Sequence, residues 1–400
     1  MCLNKNILNT GVQNFISENL NTDMMSVLLK KPFFATVTNV ELVEQMEARK
    51  KSKKKLPTWF GCPNIYYPKK LHIEQTSSEV TAQYKSRIVA GKSLVDLTGG
   101  FGIDSYFFSS KVAGVFHCEI NQSLSKIAQH NFEVLGADNI LTIQNDGISF
   151  LEKDKERYDW LYVDPSRRDD RKGRVFQLSD CEPNVLKHLD LFFLKADNLL
   201  IKTSPLLDIT KGISELKNVY QIHVVAVNND MKELLWVLKK GHEGEIEVTT
   251  INFQNSMEQT FIFNRSEEMQ LLADFSAPRN YLYEPNAAIM KSGGFKSIGE
   301  QFKLKKLHSN THLYTSYDLV DFPGRRFKIE ATIPYSTKEM KQLEIRKANV
   351  TIRNFSESVA DVRKKHKILD GGSQYLFFTT DMDRKKIVIL GSKIPYLQIT

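Results

Sequence analysis

The chain is 400 residues long, too long for one ordinary core when domains run to roughly 100–200 residues, so two to four compact units are expected. Hydrophobic residues at 41% and charged residues at 26% sit near the globular average, which excludes a disordered chain and a membrane protein. The net charge of +8 is uneven: residues 273–400 hold 22 Lys and Arg against 13 Asp and Glu, whereas the first 272 hold 33 against 34. An excess confined to the C-terminal third is the footprint of a polyanionic partner or of a well-solvated face, and charge alone leaves both open.

The longest apolar runs, such as Leu189–Leu194, fall far short of the roughly 20 residues that cross a bilayer. The first residues lack the basic-then-apolar pattern of a secretory leader, so no membrane association and a cytoplasmic location are expected. Cys2, Cys62, Cys118 and Cys181 are far apart and form no CxxC, so neither a metal site nor a disulfide framework is expected.

Residues 1–90 show helical spacing, as in Val40, Val43 and Met46, and read as an N-terminal helical unit. The basic run Arg49-Lys-Lys-Ser-Lys-Lys-Lys55 either meets phosphate or ends a helix favourably. From 91 to 272, short β-branched or aromatic runs alternate with helical stretches, the pattern of a parallel sheet wound with helices. Strands are expected at Ser93–Leu97, Gly114–Glu119, Ile140–Gln144, Trp160–Val163, Asn198–Lys202, Tyr220–Val227 and Glu245–Phe253, with helices at Gln122–Leu135 and Glu182–Lys195 among others. Gln259–Phe263 is expected to pair antiparallel with Glu245–Phe253 as an edge. The remainder mixes helices and short strands and breaks near Asp321-Phe-Pro-Gly324, which predicts two small α+β units at 273–321 and 322–400.

The segment Asp96-Leu-Thr-Gly-Gly-Phe-Gly-Ile-Asp104 follows an apolar strand and precedes a helix, so Gly100 and Gly102 can bring backbone close to a ligand at a helix N-terminus. Glu119 closes the next strand, where an acid can accept both hydroxyls of a ribose. Asn145-Asp146-Gly147 and Asp164-Pro-Ser-Arg-Arg168 end the third and fourth strands; Asp146 also suits a helix cap.

With these residues in place, the chain resembles class I S-adenosylmethionine-dependent methyltransferases that carry a THUMP-like C-terminal domain. The resemblance covers nearly the whole chain and rests on Tyr67-Pro, Glu74-Gln-Thr-Ser-Ser-Glu-Val-Thr-Ala82, Asp96–Asp104, Asp164–Arg168, Asp180-Cys-Glu-Pro183, Lys202-Thr-Ser-Pro205, Tyr283-Glu-Pro-Asn286, Phe322-Pro-Gly-Arg325 and Asp370-Gly-Gly372. It implies an α/β fold: a Rossmann-like seven-stranded methyltransferase domain at 91–272, a ferredoxin-like unit at 273–321 and a THUMP-like unit at 322–400. It also implies S-adenosylmethionine as cofactor and RNA as partner, since THUMP domains in related enzymes bind RNA.

By that resemblance Gln75, Thr76 and Ser77 touch the methionine part of the cofactor; Asp96, Gly100, Gly102 and Asp104 form its turn; Glu119 holds the ribose; and Asp146 with Gly147 meets the adenine. Asp164 and Pro165 sit at the acceptor atom. Arg167 or Arg168 then stacks on a base or clamps a phosphate, replacing the second proline and aromatic residue of enzymes that methylate exocyclic amines. The Asp-Pro-Ser-Arg form is also similar to uridine C5 methyltransferases, which use a cysteine, and Cys181 is the nearby candidate, although packing is its other reading. Lys202 and Ser204 end the fifth strand as substrate contacts or as part of a turn, and Arg325, Arg326, Arg353, Arg363, Lys364 and Lys365 are candidate phosphate contacts or solvated surface. Two other functions stay open at this point: methylation of a protein or small molecule, and a non-catalytic RNA-binding scaffold.

Overall fold

A computed structural model describes residues 3–167, 177–255 and 257–396, with the backbone but not the side chain of Arg167. The chain forms two compact units, one running to Val219 and taking in Leu235–Glu243, the other comprising Tyr220–Leu234 and the residues from Gly244 on.

The first unit begins with helices; among its described residues no strand precedes Gly91. The helix Asn39–Lys55 starts at a reciprocal cap, in which the Thr38 hydroxyl accepts from the Glu41 amide and the Glu41 carboxylate accepts from the Thr38 amide. Pro57, whose missing N–H costs nothing in a first turn, opens the next helix at once. Ile7, Val12, Ile16, Val27, Leu42 and Met46 form one cluster. A second buries Trp59, Tyr67, Ile73 and Ala82 against Phe101, Ile103, Leu124 and Ile127, so the leading helices share a core with those that follow the glycine turn.

Five strands of this unit are β1 (Gly91–Asp96), β2 (Val112–Cys118), β3 (Ile140–Ile143), β4 (Tyr158–Val163) and β5 (Ala196–Thr203), all parallel where they pair and ordered β5-β4-β1-β2-β3. Because β1 has β2 on one side and β4 on the other, the order reverses at β1, and the carboxyl ends of β1 and β4 flank a crevice. Buried Leu94, Val95, Leu161, Val163, Leu199, Leu200 and Ile201 form the middle of the sheet, a run of apolar strand faces typical of a sheet covered on both sides.

In the second unit β6 (Val219–Val227) leads into β7 (Asp230–Lys239) through the pair Asn228-Asn229, both in the left-handed region at φ 52° and 61°. This two-residue hairpin was not expected. Leu234-Leu-Trp-Val-Leu238 is an unbroken apolar run, all 3% exposed or less, and lacks the alternation that marks a half-buried strand. Strand β7 contributes residues to both units, and within the first unit its second half lies beside β5. There the Trp236 indole donates to the Thr203 hydroxyl at 2.9 Å. The strand β8 (Glu247–Gln254) pairs parallel with β6 and antiparallel with β9 (Met257–Asn264), as the sequence led one to expect for that edge.

The rest of the second unit is a mixed sheet built from β10 (Tyr281–Pro285), β11 (Tyr314–Ser316), β12 (Gly324–Pro334), β13 (Lys347–Arg353), β14 (Leu369–Thr380) and β15 (Lys386–Ile394), ordered β11-β10-β12-β15-β14-β13, with short helices such as Val359–His366. Its core gathers Leu282, Leu307, Phe327, Phe377 and Ile389 in one cluster and Met340, Val362, Leu376, Phe378 and Val388 in another. The whole is an α/β protein with N-terminal helices, a large, mostly parallel sheet and a C-terminal α+β sheet.

Gly212 packs so tightly that a Cβ there would stand 2.2 Å from the Trp236 ring. Gly212→Ala should therefore lower stability by about 1–3 kcal/mol through overpacking, measured as a drop in the midpoint of denaturant unfolding.

Candidate functional site

The turn after β1 is shaped by what cannot fit there. A side chain at Gly99 would meet the His117 ring at 2.1 Å, and one at Gly102, where φ is +86°, would meet Phe132 at 2.4 Å. Gly100, at φ +58°, turns its amide toward the end of β2, where it donates to a carboxylate oxygen of Glu119 at 2.9 Å. The other oxygen of Glu119 accepts from the Asn121 amide at 2.6 Å. After β3, a Cβ at Gly147 would lie 2.4 Å from the Leu97 carbonyl oxygen, so that loop also approaches β1 through bare backbone.

These strand ends enclose a cavity of about 580 Å³. Its lining includes Gln75, Thr76, Ser77, Asp96, Gly100, Asp104, Glu119, Asp146, Gly147, Asp164 and Lys202, residues that sequence reasoning had singled out from six separate stretches of chain. Gly102 is absent from the lining and serves instead as the left-handed residue before the helix Ile103–Ser109. Pro165 is buried beside the cavity and does not line it. Arg168 lies outside the described residues, as does the side chain of Arg167.

Asp96, only 1% exposed, accepts from the Thr98 amide at 3.0 Å and the Ser105 hydroxyl at 2.6 Å. Burial raises its carboxyl from 3.8 to about 7; the charges of Asp104 and Asp164 push the same way, and the hydrogen bonds from Ser105 and Thr98 oppose them. Ser105 also lies 3.0 Å from Nδ1 of His117, whose imidazole is pulled down to about 4 by burial and therefore stays neutral. Asp104 accepts from the Ser77 hydroxyl and the Tyr162 phenol, each at 2.8 Å, and its second oxygen lies 3.2 Å from the ammonium of fully buried Lys85. Lys85 also donates to Ser77 at 3.0 Å. Asp146 caps the helix Gly147–Lys153 by accepting from the Ser149 amide at 2.8 Å, so the capping reading holds for one of its oxygens. Asp164 forms an ion pair with Lys202, and its amide donates to the Thr98 hydroxyl at 2.8 Å.

Lys85, Tyr162, Thr98 and His117 were not anticipated. The one available signal for Lys85 was a charge on the buried face of the helix Glu79–Ser86 next to Ala82; Thr98 stood within the glycine turn without being singled out, and Tyr162 and His117 are brought in by neighbouring strands.

Several expectations change. Cys181 is fully buried, donates weakly to the Gln177 carbonyl and does not line the cavity; it pairs through backbone with Arg167 in a two-residue ladder. The helix expected from Glu182 starts at Val185 under an Asn184 cap. The Ser204 hydroxyl accepts from the Leu206 amide within a turn, outside the cavity lining.

In the second unit, Arg326 is 7% exposed, pairs with Asp321, donates to the Pro395 carbonyl and packs over Tyr396, so it is not presented as a surface contact. Arg325 and Arg353 converge on the buried carboxylate of Glu284. Arg363 pairs with Asp370, and Lys365 pairs with Glu357 while donating to the Tyr335 hydroxyl. Lys364 is exposed. Among the described residues no group of three or more His, Cys, Asp or Glu could hold a metal ion.

Residues 281–323 match the family model of a ferredoxin-like domain, and residues 324–393 match that of a THUMP-like domain. The chain is similar to a protein from Porphyromonas gingivalis W83, described from its crystal structure as a "putative methyltransferase": 32% identical, covering 99% of this chain and 100% of that one, with a TM-score of 0.89. A "putative methyltransferase" from Streptococcus mutans in complex with SAH is 14% identical over 40% of this chain and 96% of its own, with a TM-score of 0.30. TrmK from M. capricolum in complex with S-adenosyl-homocysteine is 16% identical over 40% of this chain and 68% of its own, with a TM-score of 0.32. No curated protein matches the chain.

An acid whose folded-state value lies above its unfolded one stabilises the fold at low pH and loses that contribution as pH climbs through the folded value, here from about 4 to about 7. Asp96→Asn removes this dependence. Relative to the parent, the variant should gain roughly 2–4 kcal/mol between pH 4 and pH 7.5 in denaturant melts run across that range. Lys85→Met leaves the Asp104 charge buried without its cation and should cost about 3–5 kcal/mol, much of it recovered when Asp104→Asn is added in a double-mutant cycle.

Proposed function

We propose, for a chain that belongs to the family of methyltransferase-fold proteins with ferredoxin-like and THUMP-like C-terminal domains, that it transfers a methyl group from S-adenosylmethionine to a base of structured RNA. One observation carries the reading: the glycine turn, Glu119, Asp146 and Asp164 open onto a single cavity at the point where the strand order reverses. Its volume of about 580 Å³ falls in the range of roughly 300–1,000 Å³ usual for small-molecule sites.

The donor set fits the cofactor. Asp96, Asp104, Glu119, Asp146 and Asp164 line the cavity with Lys202 as a cation among them, an acidic surround suited to a ligand that carries a sulfonium and an ammonium. In this reading Glu119 accepts the ribose hydroxyls, Asp146 and Gly147 meet the adenine, and Gln75, Thr76 and Ser77 hold the methionine end. When bound, S-adenosylmethionine supplies a methyl group for in-line displacement, so the protein's task is to hold the acceptor in line and keep water out. Asp164 is fitted to the first duty. Its ion pair with Lys202 holds the carboxylate in place, and the bond from its amide to Thr98 fixes the backbone that carries it. In the same reading Pro165 stands beside Asp164 at the acceptor atom, and Arg167 and Arg168 meet the RNA.

RNA as the acceptor is supported by the THUMP-like match at 324–393 and by the basic excess of that third of the chain. The division of labour we propose puts the cofactor in 91–272, beside the helical segment 1–90, and RNA contacts in 273–321 and 322–400. No helix among the described residues is long and apolar enough to cross a membrane.

The test is mass spectrometry of nucleosides from cells with and without the gene. One methylated nucleoside should disappear on deletion, return with the parent gene, and stay absent with Asp164→Ala, whose turnover should fall at least about 100-fold. Nucleoside profiles that do not change on deletion would refute methylation of RNA.

A further inference from the structure

The last seven residues of the helix Asn39–Lys55 include Arg49, Lys50, Lys51, Lys53, Lys54 and Lys55. Cations suit a helix C-terminus, but that effect fades beyond the final turn and does not account for what these side chains do. Lys55 serves a different helix: its ammonium donates to the carbonyls of Ile73 at 2.9 Å and Glu74 at 2.7 Å, at the end of the helix Lys70–Gln75. Lys51 pairs with Glu74 at 3.2 Å, and Arg49 donates to the Ser17 hydroxyl at 2.7 Å. Lys50, Lys53 and Lys54 are exposed, and among the described residues no carboxylate lies within ion-pair distance of them. Beside them the half-buried ring of Phe60 sits under Arg49 at 5.6 Å and Lys53 at 5.9 Å.

Their location adds to their charge. The residues gripped by Lys55 run directly into Gln75, Thr76 and Ser77, and these line the cavity together with His72. The helix end is thereby tied to the cavity's rim. In the C-terminal third, by contrast, Arg325 and Arg353 share Glu284, and Arg326, Arg363 and Lys365 each have an acidic partner, so these five cations are already engaged within their own unit.

We propose that Lys50, Lys53 and Lys54 form a phosphate-contacting strip that holds an RNA backbone at the rim of the cavity, an inference that rests on RNA being the substrate. Spacings of three and four residues put the three ammonium groups on one side of the helix, and Lys50 to Lys54 spans about 6 Å along its axis. Contacts of this kind read no sequence; they set position, and each releases counterions.

The experiment is filter retention of a labelled pool of total cellular RNA across about 50–200 mM KCl, comparing the parent with K50Q/K53Q/K54Q and K50R/K53R/K54R. Thermal melts of all three confirm folding; the substituted side chains are exposed. With three contacts removed, the slope of log affinity against log salt should become shallower by about 2, and affinity at the lower salt should fall at least about tenfold, with the arginine variant restoring both. A glutamine variant with the parent's slope and affinity would overturn the strip and leave RNA as substrate intact. A parent that retains no RNA at any salt would overturn both, and binding of an acidic protein instead would have the same consequence.

Discussion

The hydrogen bond from the Gly100 amide to the Glu119 carboxylate fixes the site, because it joins the turn after β1 to the end of β2 and so decides where the cavity opens. The surrounding strand ends come together only because side chains are missing. Gly99 makes room for the His117 ring, Gly102 for Phe132, and Gly147 for the Leu97 carbonyl. Where Gly99, Gly100 and Gly147 line the cavity, backbone can approach a ligand more closely than a side chain would allow.

Charge is the second constraint. The cavity gathers carboxylates, and their proximity is tolerated by different means at each one. Lys85 stands against Asp104, Lys202 against Asp164, and Asp96 sits near neutrality because burial makes its charged form unfavourable. A cation entering this surround would favour the ionised form of Asp96, so ligand charge and local protonation are coupled by the geometry itself.

The parts of the molecule that were legible in the sequence are those encoded locally. The glycine turn and the acid at the end of β2 could be read from spacing along one strand-turn-helix unit, and the edge formed by β8 and β9 from simple alternation. Strand β7 was hidden because both faces of Leu234–Leu238 are buried, which erases alternation. Lys85 and Tyr162 escaped because what joins them to Asp104 is the packing of a helix and a neighbouring strand, 19 and 58 residues away in sequence. The C-terminal arginines were visible as charge, but their pairing with Glu284, up to 69 residues distant, is a property of the folded sheet. Charge counts register how many cations a segment has; only the fold shows which of them remain uncommitted, as Lys50, Lys53 and Lys54 do at the end of the helix Asn39–Lys55.

Whether this acidic cavity holds S-adenosylmethionine is read most simply by titration calorimetry with the purified protein. Saturable binding of one molecule per chain is expected, strongly weakened in Glu119→Ala and in Gly100→Val, with both variants folded. A folded parent protein that gives no heat of binding, or variants that bind as the parent does, would contradict this reading.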